Sequence, residues 1–137
     1  MVATDMPLAD SDYAALASFR YAIRRFLAFS EARAASVGLT PQQHQALLAI
    51  RGAGPERTTV GHVAERLILK PHSATGLVDR LEALRLVTRE VADDDRRQTV
   101  LHLTADAHAK LAELSSVHRE EIRRLRSVLT GILDQLA

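Results

Sequence analysis

The chain has 137 residues, 47% of them hydrophobic, with 18 basic and 17 acidic side chains, a net charge of +1 and no cysteine. That is about one domain's length, with enough apolar content to bury a core. It excludes disulfide staples, thiolate metal sites and a cysteine nucleophile or redox sensor, and the near-neutral charge gives no bulk attraction for nucleic acid.

No apolar run approaches the roughly 18 residues of a membrane span, and no basic-then-apolar leader is evident. The expected setting is the cytoplasm, with no membrane partner. Residues 1–10 mix in small, acidic and proline residues and read as frayed. From Ser11 to Val37, Leu16, Phe19, Ile23, Phe26, Leu27, Ala34 and Val37 recur three or four apart, one face of a long amphipathic helix that Gly38 stops. "LTPQQHQALLAI" (39–50) restarts a helix, with Thr40 as cap, Pro41 at the first position and Leu47, Leu48 and Ile50 facing inward. "RGAGPER" (51–57) reads as a loop.

"TTVGHVAERLIL" (58–69) opens on a threonine cap and carries Val60, Val63, Ala64 and Leu67 on its apolar face. "PHSATGLVDRLEAL" (71–84) starts with proline and buries Leu77, Val78, Leu81 and Leu84. The period then changes. "LVTREV" (86–91) and "TVLHL" (99–103) are short β-rich runs around a charged turn, 92–98, and so form a hairpin. Thr104 caps a last helix whose apolar stripe is Leu111, Leu114, Ile122, Leu125, Leu129, Ile132 and Leu136. That stripe is too apolar for water on so small a chain and is expected to bury against a partner copy.

Two helices joined by the tight "LKPHS" turn form a helix-turn-helix, and a hairpin directly after the second makes it winged. The start of the second helix can enter a major groove, with Ser73 and Thr75 toward base edges and His72 beside them. Lys70 and Arg80 suit phosphates. Lys70 is a poor cap, having no acceptor for the free N–H groups and a charge that opposes the helix dipole. The hairpin tip then falls beside a minor groove, where a narrow groove attracts an inserted arginine. Asp95 and Arg97, two apart on one strand, suit an arginine held and aimed by a carboxylate, with Arg96 between them and Gln98 following. Seven basic residues face six acidic ones between 66 and 97. Placement rather than bulk field must therefore carry binding.

These stretches, "LTPQQHQALLAI", "TTVGHVAERL", "SATGLVDRLEALRLVTRE" and "DDRRQTVLHLT", resemble the MarR-type winged-helix transcription regulators, and the last two in that order are the specific part. The resemblance is strong over 39–104. It implies a mainly α, α+β winged helix-turn-helix fold in a single domain over 1–137, with 11–37 and 105–137 as dimerisation helices. It implies an obligate homodimer on a pseudo-palindromic double-stranded DNA operator, most often a repressor released by a small-molecule effector. It places the family's Asp-x-Arg wing motif on Asp95 and Arg97. The chain departs from the pattern at Gly76 inside the second helix, at Lys70 where a serine cap is common, and at Ala107 where glycine is usual.

Other chemistry is not supported. No two of the six histidines stand at i, i+3 or i+4, so no helical metal pair is expected, and no cofactor or catalytic motif is evident. Tyr21, Arg25, Phe26 and His44 are candidate linings of an effector pocket, apolar with one cation, which suits an aromatic or anionic ligand. The competing reading is a winged-helix adaptor that binds protein through its hairpin.

Overall fold

The computed structural model describes residues 6–54, 58–92 and 95–136, with the side chains of 92 and 95–98 outside the description. Five helices and one hairpin follow in the order α1 (Asp10–Ser36), α2 (Pro41–Ala53), α3 (Val60–Leu67), α4 (Pro71–Ala83), β1 (Val87–Ala92), β2 (Asp95–Leu103) and α5 (Ala105–Gln135). They divide into an arm, residues 1–32 with 116–137, and a lobe, residues 33–115.

The lobe has a continuous core. Leu47 and Ile50 of α2, Val63 of α3, Leu77, Val78 and Leu81 of α4, Val87 and Leu101 of the hairpin and Leu111 and Leu114 of α5 pack as one buried cluster. Capping residues set the helix starts. The Thr40 hydroxyl accepts from Gln43 N–H, and the Gln43 side chain accepts from Thr40 N–H, a closed capping box ahead of Pro41. Thr59 and Thr104 cap α3 and α5 through His62 N–H and Ala107 N–H. Gly38 (φ 80°) and Gly54 (φ 84°) follow α1 and α2 in backbone that favours glycine. Thr58 joins the hairpin edge, since Leu101 N–H donates to Thr58 O at 2.7 Å and the Thr58 hydroxyl donates to Leu101 O at 2.7 Å.

Several expectations are corrected. Helix α2 runs to Ala53, absorbing the start of the stretch read as loop. Leu48 and Leu84 are half exposed rather than inward-facing. Helix α3 ends at Leu67, because Ile68 turns into the left-handed region (φ 55°). Strand β2 begins at Asp95 rather than at Thr99, with a register shift between Val91 and Ala92 placing Ala92 opposite Asp95. Cross-strand pairing thus continues into the charged stretch that composition marks as turn. Leu111 and Leu114 do not serve a partner-facing stripe, being buried in their own lobe.

The arm is sparsely packed. Ala15, Ala22 and Ile132 are its buried apolar residues, with Leu125 and Leu129 packed against them. Leu16, Phe19, Ile23 and Leu27, at spacings of three and four along α1, stay 40–45% exposed. Ile122, Val128 and Leu133 of α5 are about half exposed as well. Large apolar side chains at this spacing leave an apolar stripe facing water on the single chain.

Candidate nucleic-acid interface and arm cavity

Helix α4 presents a polar face. Its stripe Ala74, Leu77, Val78 and Leu81 is buried, leaving His72, Ser73, Thr75, Asp79 and Arg80 exposed. Lys70 occupies the cap in extended backbone (φ −66°, ψ 149°) and makes no side-chain cap bond. Pro71 at the first position removes one of the N–H groups needing a partner, which softens that loss. The Thr75 hydroxyl donates to Pro71 O at 3.0 Å, holding its methyl and oxygen on the exposed side of the first turns. Arg80 folds back over Gly76. A Cβ at Gly76 would stand 3.7 Å from Arg80 Nη1, an ordinary contact, so nothing among the described residues requires glycine there.

The turn before α4 holds an unusual residue. Ile68 is 92% exposed and left-handed, although a β-branched side chain is poorly tolerated there. Its N–H bonds back to Ala64 and Glu65 carbonyls, and Leu69 N–H also reaches Ala64 O. Closure of α3 by these bonds forces the conformation. Arg85 (φ 60°) does the same after α4, where Leu86 N–H reaches Leu81 O.

The hairpin is fastened to α4 by an ion-pair fork that sequence reasoning missed. Arg89 Nη2 donates to Asp79 Oδ1 at 2.7 Å and Nη1 to Glu82 Oε1 at 2.8 Å. Asp79 and Glu82, three apart, share one helix face, and the planar guanidinium spans both. The hydrogen bond to Asp79 is the main influence raising the Arg89 pKa above its ordinary value; burial opposes it. Counting all these charges together hid the pairing. The available signal was the spacing of the two acids combined with an arginine opposite Leu101 in the hairpin. Glu90 Oε2 also meets His102 Nε2 across the strands at 2.8 Å.

The wing assignments Asp95, Arg96, Arg97 and Gln98 have their backbone in β2, but their side chains lie outside the described residues. Asp95 and Arg97 remain two apart on one strand.

In the arm, Tyr21, Arg25 and Phe26 of α1 come together, with Glu121, Arg124 and Leu125 of α5, around a cavity of about 510 Å³. The Arg25 guanidinium lies 5.8 Å from the Tyr21 ring centre. Arg124, which the sequence did not single out, gives this cavity a second cation, held loosely by Glu121 at 3.6 Å. Beside it, His118 Nε2 and Ser30 Oγ are 2.9 Å apart, with the Phe26 and Phe29 rings edge-on to the imidazole at 6.2 and 5.6 Å. His44 is not with this group: it belongs to the lobe, buried in α2. Among the described residues no cluster of three metal-binding side chains occurs, and no helix is long and apolar enough to cross a membrane.

A helix-turn-helix followed by a fastened hairpin, ahead of a long terminal helix, defines a winged-helix protein. A model of the MarR family matches residues 37–98. The HTH-type transcriptional repressor MdtR of Bacillus subtilis (strain 168) is 33% identical over 93 residues, 68% of this chain. That matched stretch spans 59% of MdtR's own length. Among solved structures, AbsC, a MarR family transcriptional regulator from Streptomyces coelicolor, superposes with a TM-score of 0.73 at 21% identity, over 96% of this chain and 85% of AbsC. The S. aureus MepR–DNA complex gives 0.69 at 20% identity, over 88% of this chain and 85% of MepR. These two likenesses are of fold. The likeness to the MarR family thus rests on the helix-turn-helix and the hairpin.

Proposed function

We propose that the chain is a non-enzymatic transcription regulator that binds double-stranded DNA as a two-fold homodimer in the cytoplasm. The observation that carries this reading is the α4 surface: a polar, exposed N-terminal face fastened through Arg89 to a hairpin whose far strand carries Asp95, Arg96, Arg97 and Gln98. Ser73 and Thr75 read base edges, with His72 beside them, while Lys70 and Arg80 hold phosphates. The protein named MepR is described in complex with DNA, and MdtR is named a repressor, which supports DNA binding and repression here. The arm cavity takes the effector. Tyr21 and Phe26 offer aromatic faces and Arg25 a cation, so the ligand is aromatic or anionic.

The direct test is a gel shift of the purified chain on its own upstream DNA. Retardation of one duplex at concentrations that leave unrelated duplexes free supports the reading. Equal binding to all duplexes, or none, overturns it and leaves the protein-binding adaptor. Two-fold symmetry sets the half-sites about one helical turn apart.

On that operator, Arg97→Ala weakens binding and lowers the salt slope by about one unit, as one lost cationic contact requires. Asp95→Ala also weakens binding. Simple charge arithmetic gives the opposite sign for Asp95, so tighter binding by this variant would reject its role in aiming Arg97.

Lys70→Ser separates stability from binding. Serine supplies the missing cap acceptor, and the free protein gains roughly 1 kcal/mol, read as a higher unfolding midpoint. Operator affinity falls and its salt dependence becomes shallower, because a phosphate contact is lost. A more stable variant that binds equally well at every salt concentration would show Lys70 to be only a poor cap.

A further inference from the structure

The lobe contains a second, smaller cavity that shares no residue with the one in the arm. About 220 Å³ in volume, it opens where α2 ends, β2 runs and α5 begins. Arg51, His102 and His108 border it, one from each of these elements, beside an apolar wall that includes Leu101 and Leu103. Arg51 Nη1 meets His108 Nδ1. A guanidinium carries only donors, so Nδ1 of His108 accepts, and the N–H of that ring stands at Nε2. Neighbouring Thr58 is already committed, its hydroxyl donating to Leu101 O. Glu90, which engages His102 Nε2, is not among the described lining residues. The described lining thus offers a guanidinium with spare N–H groups and an imidazole N–H, with no carboxylate among it.

We propose that this cavity binds a small-molecule carboxylate carried on a flat apolar body. The two carboxylate oxygens match the guanidinium fork of Arg51, and His108 Nε2–H adds a third donor. The apolar body lies against Leu101 and Leu103. The volume is below the ~300 Å³ at which pockets begin to take drug-sized ligands, so the occupant is about the size of a single-ring acid. Because His102 and both leucines belong to β2, an occupant here touches the strand that carries residues 95–98.

The test titrates sodium benzoate into the whole chain at fixed ionic strength, following the histidine ring signals by NMR. The expected result is that His102 and His108 shift together to saturation. Arg51→Gln raises the apparent Kd about tenfold or more, the loss expected for a charge-assisted bond. Arg51 is exposed on the last turn of α2, so an unchanged unfolding midpoint should accompany this. If the midpoint falls, His108→Asn serves as the second variant, with the same loss expected. His118 is the internal control, since Phe26 both lines the arm cavity and packs on its ring. Movement of His118 without His102 and His108 places the ligand in the arm alone and overturns the proposal. So do identical shifts in both variants, or acetate matching benzoate, which would remove the apolar wall from recognition.

Discussion

Phe19→Glu is expected to leave α1 helical and to abolish dimerisation. Phe19 is 40% exposed in the single chain, so its replacement removes little intrachain packing, and glutamate forms helix at least as well as phenylalanine. In the proposed dimer the same position lies in the seam of Leu16, Phe19, Ile23 and Leu27. A two-fold interface uses that seam twice, so one substitution puts two carboxylates into it. Burying an unpaired charge costs several kcal/mol, and the two-fold seam bears that cost twice. Sedimentation should show a monomer with undiminished helical circular dichroism, and operator binding should fall steeply because the two lobes are no longer joined. A Phe19→Glu protein that remains dimeric would place the interface elsewhere and leave the exposed stripe without a role.

Arg89→Ala carries the second large effect. The ion pairs are partly exposed, with side-chain exposures of 25% for Arg89, 61% for Asp79 and 45% for Glu82, so their direct worth to stability is about 1 kcal/mol or less for each pair. The functional loss should be larger. Without Arg89 the hairpin loses its fastening to α4, and two unneutralised carboxylates remain on the helix proposed to face phosphates. Operator affinity is therefore expected to fall by more than tenfold while the unfolding midpoint falls only a few degrees. Arg89→Lys keeps the charge but cannot span both acids, so it should recover part of the affinity. Equal losses in stability and affinity would reduce Arg89 to a fold-stabilising residue. Restoring the cluster's original net charge with Asp79→Asn in the Arg89→Ala background should recover the electrostatic share and not the geometric one.

Much of this was legible in the chain because local chemistry decides it. Thr40-Pro41 and Thr104 start helices by supplying acceptors to free N–H groups, and Gly38 ends one by accepting a positive φ. The change from a helical period to alternation after Leu84 announced the hairpin. The matched wing and helix stretches brought the family within reach, and the comparisons bear that out. The polar start of α4 was visible as well, since its buried stripe leaves the opposite face in water. Errors collected where a local signal met a tertiary demand. The seven-residue charged stretch reads as turn by composition, but pairing with β1 draws Asp95–Gln98 into strand. Ile68 belongs to a helix by periodicity, yet closure of α3 forces it left-handed.

The chain by itself determined the order of its elements, the capped helix starts, the winged helix-turn-helix and the resemblance to the family, since each depends on residues within a few positions of one another. Only the tertiary structure decided which residues meet. Arg89 finds Asp79 and Glu82, ten and seven positions earlier, because α4 packs beneath β1. Arg124 joins Arg25 across a hundred residues at one cavity, and Arg51, His102 and His108 border another. His44 is buried in the lobe instead of lining the arm cavity. Leu111 and Leu114 enter the lobe core while Ile122, on the same helix stripe, stays exposed. The physical reason is the same in each case: periodicity tells which face of a helix is apolar, and only packing tells what that face covers.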